Sequence, residues 1–355
     1  MSGLWHLKQT SVGIIGLGSV AIKIHLPILS SLPGVRITAV AELDSKRGER
    51  IAKRWRIPRS YVNYKDMLES SNLDAVFVCL PNSLHYEATY NVLEHDLHVF
   101  CEKSMGLSSA KAQELVGIAR RKQLILAVGY FKRFEKNYER CADHVRNLRL
   151  GKITQAHGVF LSPGPHSSWI PRSNWFLGES NGGVVFDSGA HLVDLILYVL
   201  SDDISEIFAR STNVLDGLSV PDNFAAVYVT KKGVIGTLNA GWQIATYSEG
   251  IQIHGTGGSV LVGPIEFEEM YGDFSALDAA LDKLKFAKDN VKWGVKKMLS
   301  RNWPDVAYRL EDIAFVEAVR GRKQPYVTGE DAVRVLEVLE AIQQSLRTGE
   351  CVRIR

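Results

Sequence analysis

The sequence predicts an α/β chain of two domains, a doubly wound parallel sheet followed by a second α/β domain on a largely antiparallel open sheet. Three observations predict it. From Ser11 to about Val128 short apolar runs alternate with helical patterns; beyond Val128 β-rich segments succeed one another across turn signals; and the first strand runs directly into a glycine turn. A chain of 355 residues exceeds an ordinary single domain. The division is expected at 1–128 and 129–355.

The first strand, Val12–Ile15, opens into Gly16-Leu17-Gly18-Ser19-Val20-Ala21. This turn fits the dinucleotide-binding fingerprint with Ala21 in the third, permissive position. Gly16 permits the sharp turn, Gly18 lets backbone approach a pyrophosphate, and Ala21 lets helix and strand pack closely. The helix that starts at Ser19 and Val20 then offers free N–H groups and a positive dipole end to an anion. A second strand, Val35–Ala41, ends at Glu42, at roughly the 20–25 residue distance where an acidic side chain grips a ribose 2′-hydroxyl. Glu42 repels a 2′-phosphate, so NAD is favoured over NADP, with Lys46 and Arg47 close enough to blur that preference.

Further strands are expected at Ala75–Leu80, Leu97–Cys101 and Leu124–Val128, with a helix over Ser108–Arg121 that turns Ala110, Leu115, Ile118 and Ala119 to one face. Continuous apolar strands separated by helices mean a parallel sheet covered on both sides. Ligands of such sheets lie at the carboxyl ends of the strands. Two ends stand out. After Leu80, Pro81 stops the strand and Asn82 can cap the helix that carries His85. After Cys101 come Glu102 and Lys103, a charged pair leaving a buried strand. Lys103 reads as an ammonium delivered to the cleft rather than a plain surface lysine.

Beyond Val128, Gly129–Asn147 reads as a loop entering a helix, with Tyr130, Arg133 and Phe134 in the loop. Strands are expected at Ile153–Leu161, Ile204–Val214, Phe224–Thr230, Val234–Ile244, Gly250–Gly255 and Ser259–Val262. Between them Gly182-Gly183 leads to Asp187 and His191, which share a face if the stretch is helical. Ala276–Arg301 reads as a long amphipathic surface helix, and Tyr308–Gln344 as two helices around a turn at Arg320–Pro325. Trp169, Arg172, Trp175 and Tyr247 are candidates to stack on a carbohydrate, and equally candidates for core or interface.

Composition sets the limits. A formal net charge of +3 with dispersed basic residues gives no argument for nucleic acid. The cysteines Cys79, Cys101, Cys141 and Cys351 are far apart, which suggests neither a zinc site nor a disulfide framework. No apolar signal core and no run of about 18 apolar residues is present, so a cytoplasmic protein without a membrane span is expected.

With these motifs assembled, the chain resembles the Gfo/Idh/MocA oxidoreductase family over nearly its whole length. The resemblance is carried by Gly16-Leu17-Gly18, Pro81-Asn82 with His85, Cys101-Glu102-Lys103, Gly129-Tyr130 with Arg133-Phe134, and Gly182-Gly183 through Asp187, Gly189, His191 and Asp194. The Thr328–Asp331 segment and the last helix, Val333–Leu346, also match. It implies a Rossmann domain, a second domain whose open sheet often makes dimer contacts, and a dinucleotide between them. A homodimer or homotetramer is therefore expected, acting on a sugar, sugar nucleotide or cyclitol. Lys103 matches the family's catalytic lysine, and Asp187 and His191 its substrate-side pair. His191 is then the base in oxidation or the acid in reduction, Lys103 holds the reacting oxygen, and Asp187 orients substrate or imidazole. Sequence leaves open which of Lys103 and His191 takes the proton. The cofactor side is expected to include Gly16, Gly18, Ser19, Val20 and Glu42, together with Leu80, Asn82, His85, Glu102 and Lys103. The substrate side adds Tyr130, Arg133 and Trp175, and no metal is expected. One departure is Ser104, which stands where the family usually has proline and is expected to loosen Lys103. Two other functions suit the same fold: a glycosidase that retains NAD through a transient oxidation, and a non-catalytic sensor of nucleotide or sugar.

Overall fold

The computed structural model describes residues 9–164, 178–215, 218–242, 244–245, 247–264, 267–271, 305–321 and 323–354. The expected helix at 276–301 and the residues Trp169, Arg172 and Trp175 lie outside the described residues.

The first sheet contains β1 (Thr10–Ile15), β2 (Val35–Ala41), β3 (Arg59–Tyr61), β4 (Ala75–Val78), β5 (His98–Cys101) and β6 (Leu126–Val128), in the order β3-β2-β1-β4-β5-β6. Every pairing is parallel. The order reverses between β1 and β4, so the ends of these strands form the crevice in which such sheets bind ligands. Parallel strands buried on both faces need apolar residues throughout, and Ala75 to Val78 are all fully buried. β1 leads through a π-helical turn (Ala21–His25) into α1 (Leu26–Ser31). Then come α2 (Ser45–Trp55), capped by the Asp44 side chain accepting from Arg47 N at 3.1 Å, and α3 (Tyr64–Ser70). α4 (Asn82–Glu94) and α5 (Ser109–Lys122) complete the layer. α5 buries Ala112, Leu115, Val116, Ile118 and Ala119, whereas Ala110 faces out. β3 was not foreseen, being a short edge strand without an apolar run.

The chain then passes through a 3₁₀ turn (Phe131–Phe134) into α6 (Lys136–Arg146). The second sheet is built from β7 (Ile153–Leu161), β8 (Ile204–Arg210), β9 (Asn223–Thr230), β10 (Ile235–Gly241), β11 (Ser248–Gly255), β12 (Gly258–Val262), β13 (Phe267–Tyr271) and β14 (Val352–Arg353). Its order is β13-β12-β11-β7-β10-β9-β8-β14, antiparallel except where β10 runs parallel to β7. β8 and β10 stop short of their expected ends, at Arg210 and Gly241.

One face of this sheet is covered by α7 (Gly183–Phe186), the fully buried α8 (Ser188–Leu200) and α10 (Gly329–Thr348). α10 starts from a capping box in which Thr328 and Asp331 satisfy each other's backbone N–H groups. Among the described residues no helix covers the opposite face, and Phe208 and Val227, paired across β8 and β9, are exposed there. α9 (Asp305–Val319) returns to the first sheet, where Phe315 and Val316 join the core of Phe77, Phe100 and Ile14. Phe77 and Phe100 stack at 4.7 Å, and Phe315 meets both edge-on. No helix among the described residues is long and apolar enough to cross a membrane.

Candidate active site

The glycine turn is shaped by two different demands. Gly16 has φ +86°, and a Cβ there would stand 2.5 Å from Cys79 O, so neither backbone conformation nor space admits another residue. Gly18 is different, because the nearest atom to an added Cβ is Cys79 O at 4.0 Å. Among the described residues nothing stands closer to that position, as a close-approaching ligand requires. Ser19 and Val20 begin the helix, and Ala21 is buried behind them. Glu42, at the end of β2, accepts from Leu17 N at 3.0 Å through Oε2 and from Asp44 N at 3.3 Å through Oε1. Arg47 donates to the carbonyl of the same Leu17. An acid beside the glycine turn, a helix start and an open glycine together fit a dinucleotide.

The next strand ends converge on Lys103. Pro81, not Asn82, is the N-cap of α4, and no side chain caps it. Asn82 is instead the first helical residue and reaches across to the second domain, its amide donating to Asn181 O at 3.4 Å, while Asn181 Oδ1 accepts from Ser83 N at 3.3 Å. Leu80 is half-buried beside the glycine turn. His85 is fully buried, and its Nδ1 lies 2.5 Å from Ser104 O; burial, more than any neighbour, holds its pKa below the usual value. Ser104 Oγ donates to Phe186 O at 3.0 Å. The Lys103–Ser104 peptide is cis. Ser104 is thus buried and tied at both ends, contrary to the loosening expected from a residue that is not proline. Glu102 is buried too, and its Oε2 accepts from Lys103 N at 3.1 Å.

From there the Lys103 ammonium crosses to the second domain. Nζ lies 2.7 Å from Asp187 Oδ1 and 3.3 Å from Asp187 O. Asp187 sits at the break between α7 and α8 with φ −95° and ψ −84°, so it is not on one helical face with His191 as expected. Its other oxygen accepts from Trp242 Nε1 and Ser188 Oγ, each at 3.2 Å. Asp187 therefore aims Lys103, and the described hydrogen bonds do not join it to the imidazole.

His191 is buried in α8 against rings. Phe160 stacks on it at 5.8 Å, Phe131 meets it edge-on at 5.4 Å, and Tyr130 at 6.5 Å. Burial first, then the charges of Lys103 and Lys132, push its pKa well below 6.5, so it is neutral at physiological pH. Its Nδ1 is buried without a partner, which leaves Nε2 as the nitrogen able to meet a substrate. Tyr308, from α9, stacks on Phe131 at 4.0 Å.

Two basic residues of the preceding turn are engaged elsewhere. Arg133, expected on the substrate side, is buried and binds both oxygens of Asp194 through Nε at 3.0 Å, with Asp331 at 3.3 Å. Its guanidinium braces α8 and α10 rather than facing the cleft. Lys132 is also buried, 2.6 Å from Glu249, with its ammonium over Phe131 and Phe160. Tyr247 is exposed.

Sequence reading missed Phe131, Lys132, Phe160, Trp242 and Tyr308. The first two sit inside the noted stretch between Tyr130 and Arg133. The others come from β7, the residue just after β10, and α9, all distant in sequence, with no local pattern to mark them.

Comparison with known proteins bears on the family and the fold. The family profile described as "Oxidoreductase family, NAD-binding Rossmann fold" matches residues 10–130, and the "GFO/IDH/MocA C-terminal domain" profile matches 138–261. Among relatives, the myo-inositol 2-dehydrogenase of Thermotoga maritima is 22% identical, with 97% of this chain and 98% of that protein covered. The D-glucoside 3-dehydrogenase of Escherichia coli is 26% identical, with 97% of each covered. Among solved structures, the WlbA dehydrogenase of Bordetella pertussis in complex with NADH and UDP-GlcNAcA has a TM-score of 0.85 at 18% identity, with 98% of each chain covered. At that identity the likeness speaks to the fold.

Proposed function

Because the chain belongs to the Gfo/Idh/MocA oxidoreductase family, we propose that it is an NAD-dependent dehydrogenase of a sugar, sugar nucleotide or cyclitol. The observation that carries this reading is the meeting of the Lys103–Asp187 ion pair and the neutral imidazole of His191 beside an aromatic wall, across the cleft from a glycine turn fit for a dinucleotide. When bound, the nicotinamide accepts or returns a hydride. The chain's own residues handle the oxygen and its proton. Lys103 Nζ, held by Asp187, hydrogen-bonds the reacting oxygen and stabilises the negative charge that grows there. His191 Nε2 accepts the hydroxyl proton in oxidation and gives it back in reduction. Phe131 and Phe160 wall the imidazole, Phe131 meeting it edge-on and Phe160 stacking on it, and so hold His191 in place.

Glu42 supports NAD over NADP, since its carboxylate beside Leu17 favours a ribose hydroxyl and repels a phosphate. Arg47, the nearby cation, is already engaged with Leu17 O. The open face of the second sheet supports a homodimer; light scattering of wild type against Val227→Glu tests it, and an unchanged mass overturns it.

The test of function is cofactor reduction by purified protein across free sugars, inositols, sugar phosphates and UDP-sugars, with Lys103→Ala/His191→Ala as the blank. Accumulation of NADH with the intact protein alone supports the dehydrogenase and names the substrate class. Glycoside cleavage without accumulation indicates a glycosidase that recycles its hydride. Cofactor binding with neither activity indicates a sensor.

A further inference from the structure

Behind Lys103 lies a buried charged cluster that the proposed chemistry does not use. His25, in the π-helical turn that follows the glycine loop, is fully buried. Its Nε2 lies 3.0 Å from Glu102 Oε1, and its Nδ1 lies 2.9 Å from Asp312 Oδ1 and 3.2 Å from Oδ2. Carboxylates only accept, so two of them on two ring nitrogens require both nitrogens to donate, and the ring is an imidazolium. Burial alone would lower its pKa, but Asp312 and then Glu102 override that and raise it to about 10. The ring is boxed by Phe77 at 5.2 Å, Phe100 at 5.3 Å and Tyr308 at 6.4 Å. The titratable groups facing the cluster include Glu311, Cys79, Cys101, His85 and Tyr308, with Arg309 acting on Asp312. Glu311 is buried with both carboxyl oxygens unpartnered and its pKa pushed well up by burial, so it stays neutral and adds no third negative charge beside Glu102 and Asp312; burial pushes the Asp312 carboxyl up as well, against the pull of His25.

The cluster ends at the proposed catalytic lysine. Glu102 gives one oxygen to His25 and the other to the Lys103 backbone N–H, at 3.1 Å. Gly129 leaves room for the same carboxylate, since a Cβ there would stand 3.1 Å from it. The carboxylate is therefore held at both oxygens, by His25 and by the Lys103 N–H.

We propose that His25 is a positioning residue for Lys103: clamped to Asp312, its imidazolium locks the Glu102 carboxylate, which in turn fixes the Lys103 backbone and so the place where the ammonium meets substrate. The inference rests on the reading of Lys103 as catalytic, and it ties that lysine to the helix that follows the glycine turn.

The test reads the clamp and the catalysis separately, in wild type, His25→Gln, Asp312→Asn, Glu102→Gln and the Glu102→Gln/His25→Gln double variant. Amide hydrogen exchange at Lys103 is expected to quicken about tenfold or more in each single variant, with β1 and β4 unchanged. With NAD and the substrate found above, kcat of His25→Gln and Asp312→Asn is expected to fall while their cofactor Kd stays within about threefold. In the Glu102→Gln background His25→Gln is expected to add no further loss of kcat, because both act through one path. Unchanged Lys103 exchange in a folded His25→Gln protein, or additive losses in the double variant, overturns the proposal. If His25→Gln does not fold, ¹⁵N-histidine NMR of wild type decides: two N–H protons on His25 at pH 8 are expected, and a singly protonated ring overturns the clamp. Should wild type turn over no carbohydrate, the dehydrogenase reading fails, while the exchange and NMR results still judge the clamp.

Discussion

Lys103 Nζ lies 2.7 Å from Asp187 Oδ1, an ion pair that joins the end of β5 to the break between α7 and α8 and thus one domain to the other. Trp242 and Ser188 hold the second oxygen of the same carboxylate, so the acid is oriented before the lysine reaches it. Lys103→Met is expected to lower kcat by about 10²–10⁴ with cofactor affinity retained. Asp187→Asn, which keeps the shape and removes the charge, is expected to cost less, about 10–100-fold. Steady-state kinetics with a fluorescence titration of NADH separates the two quantities.

The two glycines of the turn are expected to fail differently. Gly16→Ala meets Cys79 O and a backbone at φ +86°, so it is expected to cost about 1–3 kcal/mol of stability. Gly18→Ala meets no protein atom closer than 4.0 Å and is expected to leave the melting temperature within about 2 °C while weakening NAD binding. Thermal melts with and without NAD distinguish them, and only wild type and any residual binder gain from added cofactor.

The neutral state of His191 gives a signed pH dependence. Its pKa in the folded protein is well below the ordinary 6.5, so at mildly acid pH the unfolded chain binds a proton that the folded one refuses. Its contribution to stability is present above pH 6.5 and is lost as pH falls toward the folded value. His191→Asn is expected to lose less stability than wild type between pH 6.5 and 5, measured by urea titration at each pH. His85, depressed in the same direction, is common to both proteins and cancels in the difference.

Glu42 decides between cofactors in this reading. Glu42→Ala is expected to raise KM for NAD about tenfold and to admit NADP, as measured by the ratio of kcat/KM for the two. An unchanged ratio places the discrimination elsewhere.

Much of this was written locally. The apolar runs of β1, β2, β4 and β5 and the turn at Gly16 report their own environment, because a strand buried on both faces admits few polar residues. Helices α9 and α10 also appear where periodicity and the turn at Arg320–Pro325 put them. What stayed hidden depends on partners far along the chain. His25 and Asp312 are 287 residues apart, and neither carries a local sign that it will be charged and buried. Arg133 sits in a loop that looks poised for a ligand, but Asp194 and Asp331 claim it only once α8 and α10 are packed. Asn82 has the composition of a cap and is spent on a contact with Asn181 in the other domain. β14 is only two residues long, Val352 and Arg353, and pairs with β8 from the far end of the chain.

The return of α9 to the first sheet has a consequence for synthesis. Phe315 and Val316 complete the core around Phe77 and Phe100, so a ribosome that has released only the first six strands has released a sheet with part of one apolar face uncovered. That face stays uncovered while the whole second sheet up to β13 emerges, a delay of about 10–40 s at 5–20 residues per second. The core of the first sheet is therefore completed only after the strands of the second, up to β13, have been made.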